Sequence, residues 1–330
     1  MLGTQQIRTL IGAADPIDPA APPPRLSAVD LIARAEATEP AAPIRRAPRR
    51  LVLVAGAAAV VAAGAVTVLH PFTASTGHGP GVLGPPGGGL VLVPIAYQID
   101  QDPPAAGEHL RAMAAHLADA PSDKHTGRYA YHHVKTWGDP LMSDDGGRYV
   151  LGFASEEERW QLADGSGRSR VTTLPPEFPD VQSRDHWLRQ IPSWPSAVPH
   201  EQTLPPYESS PPLPTDRAGL AALLSVRYGG GAVAKQVTTV YQEHVVPTRT
   251  RALILDILAD VPGFRWRGQV TDRAGRPGVA ITYEDPAHGQ QSLLVFDART
   301  GVLLAHEIVT VKPRRVSTYL LLLATDRTDN

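Results

Sequence analysis

Residues 51–69 constrain this chain more than any other stretch. They carry no charge, and they follow Arg45, Arg46, Arg49 and Arg50 directly. The nineteen positions from Leu51 to Leu69 hold nine Leu or Val, nine Ala or Gly, and Thr67. As a helix rising about 1.5 Å per residue they reach about 28 Å, close to the hydrocarbon thickness of a bilayer. A signal peptide is the competing reading, because Arg49-Arg50 is loosely twin-arginine-like and Thr73-Ala74-Ser75 offers small residues. The leader would then be about fifty residues long and its apolar core longer than such cores run, so an uncleaved anchor is expected. No charged residue follows the span until Asp100. The positive-inside bias therefore expects a single pass with the N-terminal side in the cytoplasm and the bulk of the chain outside the cell membrane.

The remainder divides by composition. Residues 1–44 are proline-punctuated, with a short helical pattern around Leu31 and Ile32, and cannot bury a core alone; they read as a largely disordered cytoplasmic tail. Residues 45–69 are the basic flank and span, and residues 70–89, an uncharged Gly/Pro run, read as a flexible linker. Gly79, Gly81 and Gly84 match a dinucleotide-binding spacing, but no strand precedes them and no helix follows. The folded domain is expected over 90–330.

Within it, LVLVPIAYQI is read as a first strand, Pro104 to Ala118 as a helix, and GRYAYHHVKTW as a strand with Tyr129, Tyr131, His133 and Trp137 on one face. Residues 174–214 hold eleven prolines and are expected to be an irregular excursion anchored by Trp187 and Trp194. Helices follow at Thr215 to Tyr228, stopped by Gly229 to Gly231, then around Val233 to Tyr241, and again after a capping Thr248. A meander of five strands closes the chain, with a tight turn at Asp297 to Gly301. Strands, then helices, then a meander predict an α+β fold: a curved, half-barrel-like antiparallel sheet with helices on one side.

Chemistry is sparse. The chain has no cysteine, which excludes disulfides and thiolate sites, and its net charge of -2 argues against nucleic acid. His132 and His133 are adjacent on a strand and should point to opposite faces, and the remaining histidines read as scattered. Gly165-Ser166-Gly167 lacks the nucleophile-elbow spacing, and Glu156, Glu157 and Glu158 read as a solvated charge run. No catalytic, cofactor or metal constellation emerges. The apolar strands LLVF and YLLLLA imply a sheet covered on both faces, or one whose concave face, with Tyr129, Tyr131 and Trp137, receives an apolar ligand.

The succession PPPRLSAVDLIARAEA, RRAPRRLVLVAG, GRYAYHHVKTW, LPTDRAGLAALL and RALILDILADVPGFRWRGQVTDRAGRPGVAITYED…LLVFDARTGVLLAHEIV resembles a family of actinobacterial single-pass membrane proteins. That family is of uncharacterised function and is frequently encoded beside extracytoplasmic-function sigma factors. The order helix, R-Y-x-Y strand and W…DGSGR more loosely resembles the carrier fold shared by outer-membrane lipoprotein chaperones and periplasmic regulators of anti-sigma factors. The resemblances imply no catalytic residues and no cofactor. They imply a membrane-anchored extracytoplasmic signalling protein, sensor or anti-sigma-like, whose tail would meet a sigma factor through Leu31 and Ile32. The alternative is a membrane-tethered carrier of lipid or lipoprotein.

Overall fold

The computed structural model describes residues 89–329, apart from 122, 124, 139–140, 192–197 and 207–210. The tail contact (Leu31, Ile32), the basic flank and span (Arg45, Arg46, Arg49, Arg50, Leu51, Leu69), the linker and Trp194 lie outside the described residues. Among those described, no helix is long and apolar enough to cross a membrane.

Among the described residues eleven strands form one sheet: β1 (Leu90–Val91), β2 (Tyr129–Trp137), β3 (Leu141–Asp144), β4 (Tyr149–Gln161), β5 (Gly167–Phe178), β6 (Pro199–Leu204), β7 (Arg265–Thr271), β8 (Pro277–Asp285), β9 (Gln290–Phe296), β10 (Leu303–Thr310) and β11 (Arg315–Thr328). The lateral order is β1-β5-β4-β2-β11-β10-β9-β8-β7, with β3 on β4 and β6 on β5. Every pairing is antiparallel except β1 with β5, so the sheet is mixed rather than wholly antiparallel. Register slips at Phe153/Ser155, Trp266/Gly268, Leu303/Ala305, Ile308/Val309 and Leu322/Ala324 bend it. The sheet stays open, because its end strands β1 and β7 do not meet.

Four helices cover one face: α1 (Gly107–Ala118), then, after α2 (Val181–Gln190), α3 (Arg217–Leu223), α4 (Gly230–Glu243) and α5 (Thr248–Asp260). Each turns one apolar stripe inward, such as Leu110, Ala114 and Leu117 of α1 or Ile254, Leu255 and Leu258 of α5. These meet Val134, Ile281, Leu294, Phe296, Leu320 and Leu322 from the strands in one buried cluster. Helix α2 lies outside that layer, where Trp187 packs with Leu151 and Phe178.

The opposite face is closed by the chain itself. Only Leu90 and Val91 of LVLVPIAYQI form a strand; Leu92 and Ile95 then pack across the sheet against Trp137, Leu293, Val295, Tyr319 and Leu321. Pro94 has no N–H to offer a ladder, and the backbone groups around it find side chains instead. Ile95 N–H donates to Glu307 Oε1 at 3.1 Å, and Arg273 donates to Val93 O at 2.7 Å. The strap ends beside β7, where Ile99 N–H donates to Arg267 O and Trp266 N–H to Pro104 O.

Three further expectations are corrected. The proline-rich excursion is partly regular: β5 runs to Phe178 through Pro175 and Pro176, and α2 and β6 follow. The glycines at 229–231 open α4 rather than merely ending the preceding helix. Gly229 takes φ 86°, and a Cβ at Gly230 would lie 2.2 Å from Tyr283 Cδ2, so the helix start requires a bare backbone there. Thr248 does not cap α5, whose N-cap is Pro247; its Oγ1 accepts from Asp123 N–H instead.

Candidate functional site

Strands β2 and β4 carry the residues that the sequence singled out, and alternation sorts them onto two faces. Tyr129, Tyr131 and Trp137 share the face that the strap crosses. Trp137 is buried, stacked on Tyr319 with ring centroids 6.3 Å apart, and donates its indole N–H to Glu177 O at 3.2 Å. Tyr131 lies against Trp160 at 5.2 Å and donates to Glu158 Oε1 at 3.3 Å. Tyr129 is half-buried beneath the Arg128 guanidinium, 4.8 Å from its ring centroid. Tyr131 and Tyr129 thus sit at one end of β2 and Trp137 at the other, with Lys135 and its 3.1 Å ion pair to Glu177 between them.

The three glutamates do not form a solvated run. Glu158 is 1% exposed and accepts from Arg170 at 2.7 Å as well as from Tyr131, and burial pushes its carboxyl above the ordinary range. Glu156 lies near His133, 3.9 Å from its Nε2, which holds its carboxyl below the ordinary range. Glu157 points to the other side, across from Val134 on β2 and Val171 on β5.

There it joins a polar cluster at the margin of the helix-covered face. His132, opposite Arg159 in register, is fully buried, and neither ring nitrogen has a hydrogen-bond partner among the described residues. Burial, with Arg159 and His244 nearby, pushes its imidazole down to about 3, so it is neutral at physiological pH. Arg159 is 8% exposed; it donates from Nη2 to Gln242 O at 2.5 Å, while its Nε–H is unpartnered. Ser169, paired with Arg159 across β4 and β5, is 2% exposed, and its hydroxyl is likewise unpartnered. Glu157 Oε1 completes the group, its carboxyl pushed up to about 7 by burial against the opposing pull of Arg159.

A cleft of about 790 Å³ opens beside this cluster, onto Glu157 and Arg159. Glu157 and Arg159 form its floor; the end of α4 and the 243–247 turn form one wall, and Leu162, Ala163, Pro212 and Leu213 form another. Unsatisfied buried polar groups cost about 1–3 kcal/mol each, so several converging on one cleft mark a place built for something other than packing. Ser169 and His132 make no hydrogen bond to each other, so no nucleophile–base pair is formed there. Among the described residues, no group of three or more His, Asp or Glu side chains is placed to hold a metal ion.

Sequence reasoning passed over this cluster. Its signal was parity: His132 sits between Ala130 and Val134 on the inward positions of β2, and Glu157 and Arg159 share that side of β4. Charged residues on a core-facing parity need a structural or functional reason.

No family model and no curated protein sequence matches the chain. Among solved structures it is similar to MucB in complex with MucA(peri), at 13% identity and a TM-score of 0.26, with 67% of this chain and 55% of that chain covered. It is also similar to MucB alone, at 13% identity and a TM-score of 0.28, with 66% of this chain and 58% of that one covered. The chain thus spans little more than half the length of these structures.

Proposed function

We propose that the chain is a membrane-anchored, extracytoplasmic sensor of the anti-sigma-like kind, without catalytic activity, whose folded domain receives a ligand and whose N-terminal tail meets a sigma factor. The observation that carries this reading is the cleft lined by Glu157 and Arg159, next to which buried polar atoms of these two residues and of the adjoining His132 and Ser169 lie unpartnered. Polar groups convergent in a preformed cleft suit a receptor of small molecules. The apolar side of the sheet supports a receptor over a tethered lipid carrier, because both of its faces are occupied, one by the helices and the other by the strap. The arginine flank and the uncharged span at 45–69 supply the expected anchor.

The full chain, purified in detergent, is expected to retain an extracytoplasmic-function sigma factor encoded beside it, and to lose it when Leu31 and Ile32 are both replaced by Asp. No association at micromolar concentrations, with the chain folded, contradicts the regulatory reading.

A further inference from the structure

We infer that the cleft between β4 and the 243–247 turn is a binding site for a small monocarboxylate with a short aliphatic body, held head-down on Arg159 and Glu157. The inference deepens the sensor reading and rests on it for the ligand's role, though not for the binding itself.

The chemistry follows from what the floor offers. The Arg159 guanidinium can only donate, and its Nη2 is anchored to Gln242 O, so the group is held in place beside the cleft. Ser169 and His132 pair with Arg159 across the neighbouring strands and lie behind the cleft lining. A carboxylate fits a guanidinium edge in plane and accepts several such donors at once. Glu157 decides the ligand's charge. As a carboxylate it would repel an anion; as a carboxylic acid it becomes one more donor. With Glu157 protonated, the buried charge on the floor is the single positive one of Arg159, which a monoanion neutralises and a dianion overshoots. Arg327 of β11 and Glu243 of α4 also line the cleft, one charge of each sign.

The walls argue for the body. Leu162, Ala163, Leu213, Val245 and Pro247 line the cleft above the polar floor, and about 790 Å³ lies within the range of small-molecule pockets. Gln161, Thr215, Gln242 and Thr250 share the lining, so the apolar residues cover part of the wall and suit a short aliphatic body rather than a long chain.

The binding should take up a proton. Glu157 has a raised carboxyl near 7, so above that pH an anion must first protonate it, and affinity falls by up to tenfold for each further pH unit. Below it the proton is already present and affinity levels off. The other groups facing Glu157 are Arg159 beside it, His132 and Arg327 from the neighbouring strands, and Glu243 and His244 from the turn after α4; His200 of β6 lies beyond Val171. Burial holds His132 down to about 3, so it stays neutral between pH 6 and 8, and burial lowers His244 as well.

The test is calorimetric titration of the full chain in nanodiscs with octanoate, octanamide and octylamine from pH 6 to 9. Octanoate is expected to bind one to one, at least tenfold more tightly than the other two, with affinity falling about tenfold between pH 7.5 and 8.5. Glu157→Gln, isosteric with the protonated acid, should keep the pH 6 affinity across the whole range, and Arg159→Met should lose at least tenfold. A preference for octylamine, a wild-type affinity indifferent to pH, or no octanoate binding by folded Glu157→Gln and wild-type chain each overturns the site. If octanoate fails while the sigma factor is still retained, the ligand class is wrong and the sensor reading stands. If octanoate binds and no sigma factor is held, the site stands and the regulatory reading falls.

Discussion

Replacing Glu307 with alanine should destabilise the folded domain by about 3–5 kcal/mol, because it strands a buried guanidinium. Glu307 is 1% exposed and accepts from Arg273 Nε at 2.8 Å, while Arg273, with 8% of its side chain exposed, otherwise donates to Val93 O and lies over the Tyr319 ring. The same carboxylate accepts the Ile95 N–H, so its loss also removes the bond that ties the strap to β10. Chemical denaturation of the Glu307→Ala protein measures the loss. The double variant Glu307→Leu with Arg273→Met provides the control: with both charges gone, stability should return to within about 1–2 kcal/mol of the parent. A Glu307→Ala protein as stable as the parent would mean that the strap is a passive passenger on the sheet.

The second large effect is expected at Leu255, in the middle of α5. It is fully buried in the cluster that joins the helix layer to the sheet, next to Leu258 and Ile254 and close over Gly301. Leu255→Ala should cost about 3–5 kcal/mol, the upper part of the range for such truncations, since the rigid sheet beneath cannot collapse into the space. Thermal or chemical unfolding reads this directly. A cost below about 1 kcal/mol would show that the helix layer is loosely docked and that an apolar ligand could separate it from the sheet, as a carrier requires.

The C-terminal meander was the most legible part of the chain. VAITYE, QSLLVFDA, VLLAHEIVTV and VSTYLLLLA are strongly β-forming, short loops join them, and Asp297 takes the Gly301 N–H in the turn expected between β9 and β10. The helices were legible too, since α1, α4 and α5 each carry a 3.6-residue stripe. Three things were not, and each involves partners distant in sequence. LVLVPIAYQI has a strand's composition, yet its route across the sheet depends on Glu307 and Arg273, more than 170 residues away. The proline-rich stretch hides β6 because a strand at the sheet's margin tolerates Pro199, whose missing N–H costs no ladder bond if it faces outward. Glu156, Glu157 and Glu158 look alike in sequence, and only the sheet gives one to His133, one to the cleft and one to Arg170.

The candidate site was the least legible of all. Tyr129, Tyr131 and Trp137 drew attention as aromatics, but the strap and Tyr319 already engage Trp137. The cleft instead draws on residues from β2, β4, β11 and the turn after α4, none of which forms a sequence motif.

The central claim is that this cleft receives a carboxylate, and one measurement reaches it directly: anomalous X-ray scattering from crystals grown with ω-bromooctanoate. The account predicts a bromine peak between the Leu162/Leu213 wall and Val245, with the carboxylate within hydrogen-bond distance of the Arg159 guanidinium. A bromine peak elsewhere, or a cleft into which side chains have closed with the ligand present in excess, would contradict it.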